Sequence, residues 1–283
     1  MRRRWGLCFA LPMQIERIED LEDPRLVGYR SLKDADLAAR HGRFVVEGRG
    51  NLAVLLERAE VAPESVLLSE RMLAAMEPTL QRAAPACPVF VAPQPVLDGI
   101  VGFPIHRGCL ALCPRAPARD ALELARSARE IDPAARIVLL ERVTNHDNVG
   151  GIFRCAMAFG ARGVILCPRT CDPLYRKAIR TSMGGTLCVP FARARRWAET
   201  LDAIASLGYE ILALDPGSES LSIERLGPAS PRASAILLGT EGEGLSGVAL
   251  AHADRRIRID MAPGVDSLNV AVAAGIALHR LAR

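Results

Sequence analysis

Short apolar runs alternate with amphipathic stretches along most of this chain, a pattern that predicts strands alternating with helices. In the second half, the predicted strands cover residues 136–140, 163–167, 188–191, 210–214, 235–238 and 256–259. Helical stretches separate these runs. The regular alternation predicts a doubly wound parallel sheet, in which ligands bind at the carboxyl ends of the strands.

The first half repeats this alternation on a smaller scale. Its predicted strands cover residues 44–47, 66–69, 89–91 and 107–113, and a segment with Pro114 and Pro117 then forms a linker. A chain of 283 residues has room for two domains that each bury a core. We therefore predict an N-terminal extension (1–22), a small α/β domain (23–115), a linker and helix (116–131) and a larger α/β domain (132–283).

The composition is that of a soluble globular protein, with 50% apolar and 24% charged residues. The net charge is +4, and only Lys33 and Lys177 among the 36 basic residues are lysines. Guanidinium groups bind phosphate oxygens well, so the arginine excess agrees with a nucleic-acid partner. A GC-rich coding bias would produce the same excess, so the charge alone decides little.

The eight cysteines contain no Cys-x-x-Cys motif. Cys109 and Cys113 are four residues apart, as are Cys167 and Cys171, and each pair flanks an apolar run. Without a tighter pair or a histidine cluster, this spacing favours reduced core cysteines over a zinc site. We therefore expect no metal.

No apolar run approaches the roughly 20 residues that cross a bilayer, so we expect no membrane association. Residues 1–13 imitate a signal peptide, because three arginines precede a short apolar stretch. However, Pro12 interrupts the stretch and no small-x-small cleavage site follows. We interpret these residues as an extension of a cytoplasmic protein.

Three stretches of the second half carry the candidate chemistry. The last runs from the alternating Ile257, Ile259 and Met261 through a Pro-Gly turn to a helix of small apolar residues. Ser267 is the predicted N-cap of this helix. Taken alone, this stretch is equally well a C-terminal core helix with an ordinary cap.

The other two stretches, residues 145–154 and 237–246, each follow an apolar strand. The second is rich in glycine, which permits close approach of the backbone to a ligand. It lacks the Gly-x-Gly-x-x-Gly spacing of dinucleotide-binding loops and the lysine of a P-loop. A nucleotide-binding oxidoreductase is therefore disfavoured.

In this order, the three stretches resemble the signature of the SpoU (TrmH-like) RNA ribose methyltransferases of the SPOUT superfamily. The matching residues are Asn148-x-Gly150-x-x-x-Arg154, Gly239-x-Glu241-x-x-Gly244-Leu245 and Ser267-Leu268-Asn269-Val270-x-Val272-Ala273. The resemblance is strong over residues 136–283. Residues 44–48 and 106–110 more loosely resemble the ribosomal-protein-like RNA-binding domain that precedes many SpoU catalytic domains.

This resemblance implies a fold, a reaction and an assembly. The fold would be α/β, with a SPOUT-type parallel sheet and C-terminal trefoil knot, preceded by a small α/β substrate-binding domain. S-adenosylmethionine would donate a methyl group to a ribose 2′-hydroxyl of tRNA or rRNA. Family members are homodimers in which the partner completes the RNA site, and the small-residue final helix suits such an interface.

Carried over by position, the family's cofactor contacts fall on Leu238, Gly239, Ile259, Met261 and Leu268. Apolar side chains would hold the faces of the adenine, and main-chain groups would bind its edge. For Ile259 and Leu268 plain core packing is the alternative, and the two roles do not exclude each other.

The resemblance also implies a catalytic group formed by Arg154, Asn148, Glu241, Ser267 and Asn269. Arg154 would bind the phosphate beside the target ribose and stabilise charge, since arginine hardly deprotonates in proteins. Its alternative role is a structural ion pair. Asn148 and Asn269 would hold the ribose or a neighbouring loop, and Glu241 would position Asn148 or Arg154. Ser267 would contact substrate, cofactor or only the helix amides.

Basic residues in both halves are candidates for RNA contacts. They are Arg43, Arg49 and Arg107 in the first domain and Arg176, Lys177 and Arg180 in the second. Such contacts would bind phosphates and give salt-dependent affinity rather than base identity. A solvated basic surface explains the same residues equally well.

Two other functions remain open from the sequence. A catalytically silent RNA-binding or assembly module would keep the fold, and a base-methylating SPOUT relative would keep the cofactor. The intact set of Asn148, Arg154, Glu241 and Asn269 argues against the silent module. The identity of the modified nucleoside would separate ribose from base methylation.

Overall fold

The computed structural model describes residues 14–30, 37–38, 41–101, 108–226 and 232–282. Contacts within it divide the chain into two units, Met1–Arg115 and Ala116–Arg283, which we call the first and the second unit. The extension interpreted at residues 1–13 lies outside the described residues.

The first unit contains a mixed sheet. Its described strands are β1 (Ile15–Arg17), β2 (Arg43–Glu47), β3 (Ser65–Ser69), β4 (Val89–Ala92) and β5 (Cys109–Pro114). Its described helices include α1 (Arg49–Arg58), α2 (Glu70–Ala83) and α3 (Gln94–Val101). Among these residues the strand order is β1-β4-β3-β5-β2, with β5 antiparallel to β2 and β3. In its core, the buried Tyr29 hydroxyl forms a 2.8 Å hydrogen bond with Ser65.

The edge strand β1 corrects the predicted boundary of the first domain. The sequence pattern assigns residues 1–22 to an extension, yet Ile15–Arg17 pairs in parallel with β4. Ile18, which follows directly, is buried in the same core as Tyr29. An edge strand of three residues buries little of its surface, so two of its three side chains are polar. Its sequence therefore lacks the apolar pattern that predicts a strand.

The second unit is built on a parallel sheet. Its described strands are β6 (Arg136–Leu140), β7 (Gly163–Leu166), β8 (Phe191–Arg193), β9 (Glu210–Leu214), β10 (Leu221–Ser222), β11 (Ser234–Leu238) and β12 (Arg255–Arg258). Its described α-helices are α4 (Ala121–Ile131), α5 (His146–Ala158), α6 (Arg176–Thr181), α7 (Gly185–Cys188), α8 (Trp197–Ser206), α9 (Gly247–Ala251) and α10 (Val270–Leu281). Within the described residues the order is β10-β12-β9-β11-β6-β7-β8, and every pairing is parallel. The predicted α/β fold with a parallel sheet is confirmed.

Helices cover both faces of this sheet, which explains why its central strands are apolar without alternation. In β6, Val138 and Leu140 belong to the core under α5 and α10. Ile137 and Leu139 point to the opposite core, under α4 and α8. With both faces buried, polar side chains of the central strands are confined to the ends of these strands.

One predicted strand of the second unit is wrong. Cys188, the predicted start of a strand at residues 188–191, instead ends α7, and β8 begins three residues later. Gly184 has a left-handed φ of 84°, and a Cβ on Gly185 would lie 2.8 Å from the Phe153 carbonyl oxygen. The segment is therefore a tight helical turn that packs against α5. The apolar pattern of residues 188–191 does not reveal this contact, so it predicted a strand.

No disulfide joins the cysteines of the described residues. In the same part of the chain, no group of three or more His, Cys, Asp or Glu side chains could hold a metal ion. No described helix combines the length and the apolar character needed to cross a membrane.

Helix α5 approaches two neighbouring helices at adjacent glycines. A Cβ on Gly150 would lie 1.9 Å from Thr181 Oγ1 and 2.6 Å from the Ala178 carbonyl oxygen of α6. A Cβ on Gly151 would lie 2.7 Å from Ala271 Cβ of α10. Any side chain at these positions would push the helices apart, because protein interiors are close-packed.

We expect Gly150→Ala to destabilise the protein by about 1–3 kcal/mol, because the new methyl group must displace the backbone of α6. The free energy of unfolding, from a denaturant titration, measures this effect. Gly247→Ala is the control, since a methyl group there would meet nothing within 4 Å. Equal stability of the two variants would contradict the close packing of α5 on α6.

Candidate active site

A cavity of about 360 Å³ lies at the carboxyl ends of β9, β11 and β12. Residues that follow these strands line it, together with the segment that leads into α10. The lining residues are Leu214, Asp215, Pro216, Leu238, Gly239, Thr240, Glu241, Gly242, Gly244, Arg258, Ile259, Met261, Ser267, Leu268, Asn269, Val270 and Ala273. A parallel sheet binds ligands at this edge, and the volume is within the usual range of ligand pockets, roughly 300–1,000 Å³.

The glycine loop, residues 239–245, forms part of the cavity wall. It folds back on itself, since the Gly244 N–H donates to the Thr240 carbonyl oxygen at 3.1 Å. A Cβ on Gly239 would lie 2.4 Å from the Gly244 carbonyl carbon, so the two ends of the loop are in backbone contact. Gly242 and Gly244 have φ angles of 88° and 69°, which glycine adopts without strain.

The side-chain amide of Asn269 connects three parts of the site. Its Nδ2 donates to Asn148 Oδ1 and to Glu241 Oε1, each at 2.9 Å. Its Oδ1 accepts from the N–H groups of Ala271 and Val272 at 3.0 and 3.3 Å. One amide group therefore joins the start of α5, the glycine loop and the start of α10.

Asn269, and not the predicted Ser267, is the N-cap of the final helix. This helix begins at Val270, and Asn269 accepts from its first N–H groups. Ser267 is exposed two residues earlier, on the cavity wall. Both residue types cap helices well. Asn269 also donates to Asn148 and Glu241, which the single proton of a serine hydroxyl could not do at once.

Four of the five predicted catalytic residues lie together. Glu241, Ser267 and Asn269 line the cavity, and Asn148 contacts Asn269. Glu241 does not contact Asn148 or Arg154 directly, as the sequence had suggested, but reaches Asn148 through Asn269. Asn148 is buried, and its Nδ2 donates to no other described residue. It therefore keeps two N–H groups for a ligand.

Arg154 lies apart from this cluster. It is exposed on α5, is not among the lining residues, and its side chain forms no hydrogen bond or ion pair within the described residues. Arg154 lies six positions after Asn148 in the helix, which turns it about 240° around the helix axis. Burial raises the pKa of the adjacent Cys155 thiol, and the charge of Arg154 offsets part of this rise.

The residues predicted to contact the cofactor, Leu238, Gly239, Ile259, Met261 and Leu268, all line the cavity. They come from two strand ends and from the segment before α10. The structure thus brings together residues that lie up to thirty positions apart in the sequence. Their role in holding a cofactor stays a prediction.

The cavity wall also includes residues that the sequence motifs missed. Asp215 follows β9 directly, and Arg258 ends β12. Their position after predicted strands is the signal that could have located them. Arg258 is held by Asp260, with Nε 3.0 Å from Oδ1. A hydrogen bond from Ser222 and the Arg258 guanidinium keep the pKa of the Asp260 carboxyl below its ordinary value.

In the second unit, the basic residues predicted to contact RNA belong to α6. Lys177 forms an ion pair with Asp147, with Nζ 2.8 Å from Oδ2. Asp147 precedes Asn148 in α5, so this pair lies beside the cluster around Asn269. Arg180 is exposed, and its side chain has no partner among the described residues, whereas Arg176 is half-buried.

The predicted RNA contacts of the first unit have different surroundings. Arg43 Nε lies 2.8 Å from Glu64 Oε2, so a carboxylate already compensates part of its charge. Arg49 and Arg71 line a second cavity, of about 390 Å³, and neither side chain pairs with a described residue. Arg107 lies outside the described residues.

Comparison with known sequences identifies a family. Residues 135–279 match the model of the SpoU rRNA Methylase family. A Mycobacterium tuberculosis protein named "uncharacterized tRNA/rRNA methyltransferase" is 34% identical over 284 aligned residues, which cover 98% of this chain and 96% of that protein. The predicted family is thus confirmed independently of the structure.

Solved structures have a similar fold. The AdoMet-bound rRNA methyltransferase of Sinorhizobium meliloti has a TM-score of 0.76 at 24% identity, covering 95% of this chain and 97% of its own. The SpoU methyltransferase AviRb of Streptomyces viridochromogenes, in complex with AdoMet, has a TM-score of 0.77 at 23% identity, covering 92% and 98%. An RNA 2′-O ribose methyltransferase has a TM-score of 0.72 at 26% identity, covering 94% and 98%.

The predicted cofactor is the one that SpoU methyltransferases bind, since two of these structures contain AdoMet. The family model spans half of this chain, and the mycobacterial relative aligns with nearly all of it. This chain belongs to the SpoU rRNA Methylase family.

Proposed function

We propose that this chain methylates a ribose 2′-hydroxyl in tRNA or rRNA, with S-adenosylmethionine as the methyl donor. The cavity at the carboxyl ends of β9, β11 and β12, linked through Asn269 to Asn148, carries this proposal. Family membership and the mycobacterial tRNA/rRNA methyltransferase support RNA as the substrate. The RNA 2′-O ribose methyltransferase supports the ribose hydroxyl over a base as the acceptor.

The cavity walls fit this cofactor. Leu238, Ile259 and Met261 provide apolar surface for the faces of an adenine, and the glycine loop exposes main-chain groups for its edge. A Cβ on Gly242 or Gly244 would meet nothing within 4 Å, so these positions leave open space beside the backbone. The carboxylate of Glu241 on the wall attracts a positively charged ligand.

The bound cofactor supplies an electrophilic methyl group on a positively charged sulfur. The chain must hold the ribose hydroxyl in line with that methyl group, and alignment of this kind contributes up to about 7–11 kcal/mol. Asn148 is suited to this task, because Asn269 fixes its Oδ1 and leaves its Nδ2 to donate to a ribose oxygen. Asn148 is 5% exposed, so water competes little for that hydrogen bond.

Arg154 provides a positive charge for the RNA. Its side chain has no partner within the described residues, so a phosphate binds it without breaking an ion pair. Arginine stays protonated in proteins, so Arg154 stabilises negative charge and does not accept the hydroxyl proton. That proton passes to a phosphate oxygen of the RNA or to water.

The direct test is methyl transfer from labelled S-adenosylmethionine to tRNA and rRNA isolated from cells that lack the protein. Mass spectrometry of the nucleosides identifies the product and its position. We expect a 2′-O-methylated nucleoside. A methylated base would instead identify a base-methylating relative, and the absence of cofactor binding in a calorimetric titration would identify a silent RNA-binding module.

We expect Arg154→Ala to reduce methyl transfer about 100-fold or more, because it removes charge stabilisation in the transition state. Cofactor affinity should stay within a few fold, since Arg154 does not line the cavity. Single-turnover rates and calorimetric titrations measure the two effects. Arg126→Ala, on α4 against the opposite face of the sheet, is the control. Unchanged turnover of the Arg154 variant would remove this residue from the mechanism.

We further propose that the chain is a homodimer. Val272 and Ile276 lie one turn apart on α10 and are 51% and 38% exposed, although both are large and apolar. Val265 and Leu268, in the segment before α10, are also exposed. Exposed apolar patches of this kind indicate an interface. Leu268 also lines the cavity, so a second copy on this patch would lie beside the ligand.

Replacing both Val272 and Ile276 by glutamate should convert a dimer into a monomer, because the added charges would be buried at the interface. Light scattering after gel filtration measures the mass. Ile131→Glu is the control, since Ile131 is 69% exposed on α4, which packs on the other face of the sheet. A monomeric wild-type chain, or an unchanged mass of the double variant, would contradict this interface.

The remaining assignments rest on the family resemblance. We infer that the first unit binds RNA phosphates, with Arg49 and Arg71 beside its cavity as the groups that support this role. A single guanidinium binds phosphate oxygens through two parallel hydrogen bonds. The trefoil knot and the cytoplasmic location stay predictions.

A further inference from the structure

We propose that Glu141 is a positioning residue that holds the glycine loop at the cavity, an inference that rests on the cofactor site proposed above. Glu141 is the first residue after β6 and lies outside the three sequence motifs. It is 4% exposed, although it carries a carboxyl group. Buried carboxylates need hydrogen-bond partners, so its contacts indicate its role.

Glu141 contacts the residues on both sides of the glycine loop. Its N–H donates to the carbonyl oxygen of Leu238, the last residue of β11, at 2.8 Å. Its Oε2 accepts from the Ser246 N–H and its Oε1 from the Ser246 hydroxyl, each at 2.8 Å. One residue at the end of β6 thus holds the point where the loop begins and the point where it ends.

Two other polar side-chain contacts connect the loop to the described part of the second unit, and Leu245 packs against the core under α4 and α8. Asn269 donates to Glu241, and Arg142 Nη1 donates to Glu243 Oε2 at 2.9 Å. The Glu243 side chain is 76% exposed, and water weakens such surface pairs. The hydrogen bonds from Ser246 to Glu141 are partly buried and involve a charged group, and these are the stronger kind. Glu141 therefore supplies the side-chain contact that ties Ser246 to the end of β6, while the Ser246 hydroxyl also accepts from the Ala249 N–H as the N-cap of α9.

Glu141 is not itself a lining residue, so it acts on the cavity through the loop. Thr240, Glu241, Gly242 and Gly244 of the loop form the wall. The contact between Gly239 and Gly244 keeps the loop closed on itself, so a displacement at Ser246 is passed on to the residues of the loop. Releasing Ser246 from Glu141 would therefore displace this part of the wall, including the Glu241 carboxylate that accepts from Asn269.

Glu141→Gln tests this role with little change in side-chain size. The glutamine amide keeps one acceptor oxygen but turns an N–H₂ group towards a donor of Ser246. We expect the Kd for S-adenosylmethionine, measured by calorimetry, to rise about tenfold, as the loss of one charged hydrogen bond predicts. In the cofactor-free protein, the Ser246 amide, whose acceptor is Glu141 Oε2, should exchange hydrogen faster, while the amides of β11 keep wild-type protection.

Glu243→Gln is the matched control, since it changes the other loop carboxylate that pairs with the β6 edge. We expect its Kd and exchange rates to stay within twofold of wild type. Ser246→Ala removes the hydroxyl bond to Glu141 Oε1 and also the N-cap bond from the Ala249 N–H. The double variant Glu141→Gln/Ser246→Ala should therefore lose less affinity than the sum of the two single losses, because both single variants remove part of the same contact.

Three results would overturn the proposal. These are an unchanged Kd and unchanged exchange in Glu141→Gln, faster exchange spread equally over β6 and β11 with a lower melting temperature, and fully additive losses in the double variant. If Glu141→Gln does not fold, Ser246→Ala gives the same two readouts. Should the wild type not bind S-adenosylmethionine, the proposed function fails, and the exchange data still decide whether Glu141 holds the loop.

Discussion

The site depends on the hydrogen bonds of one amide group, that of Asn269. Its two N–H groups hold Asn148 and Glu241, which lie 121 and 28 positions away in the chain, and its oxygen caps α10. Only an amide offers two donors and an acceptor on one planar group. A serine could cap the helix and a carboxylate could cap it more strongly, but neither could also hold two acceptors. The residue type at position 269 therefore follows from geometry.

The parallel sheet explains why these groups meet. Both of its faces are packed with apolar side chains, so the central strands carry polar groups only at or beyond their two ends. Glu141, Asp215 and Gly239 directly follow β6, β9 and β11, and all parallel strands end at one edge. Glycine is needed at this edge because the turns pack backbone against backbone, with no room for a Cβ at Gly239.

The central elements were predictable from the sequence, and the parts fixed by distant contacts were not. The strands at 136–140 and 210–214 match the structure residue for residue, since their continuous apolar side chains fill both cores. The choice of Asn269 over Ser267 as N-cap depends on partners far away in the sequence. Likewise, the turn before β8 follows from the approach of Gly185 to α5, and the short edge strand β1 carries no apolar pattern.

The position of Arg154 outside the cavity has a physical reason in the proposed reaction. An uncompensated guanidinium on the cavity wall would repel the positive sulfur of the cofactor, and this repulsion is strong where water is excluded. The Arg258 guanidinium on the wall is paired with Asp260, and the wall also carries the carboxylates of Asp215 and Glu241, while Arg154 remains exposed on α5. The carboxylates that attract the cationic methyl donor thus lie apart from the guanidinium that attracts the anionic RNA. In the proposed reaction, a ribose held by Asn148 with its phosphate on Arg154 would bring the two together, so productive alignment would require RNA to be bound.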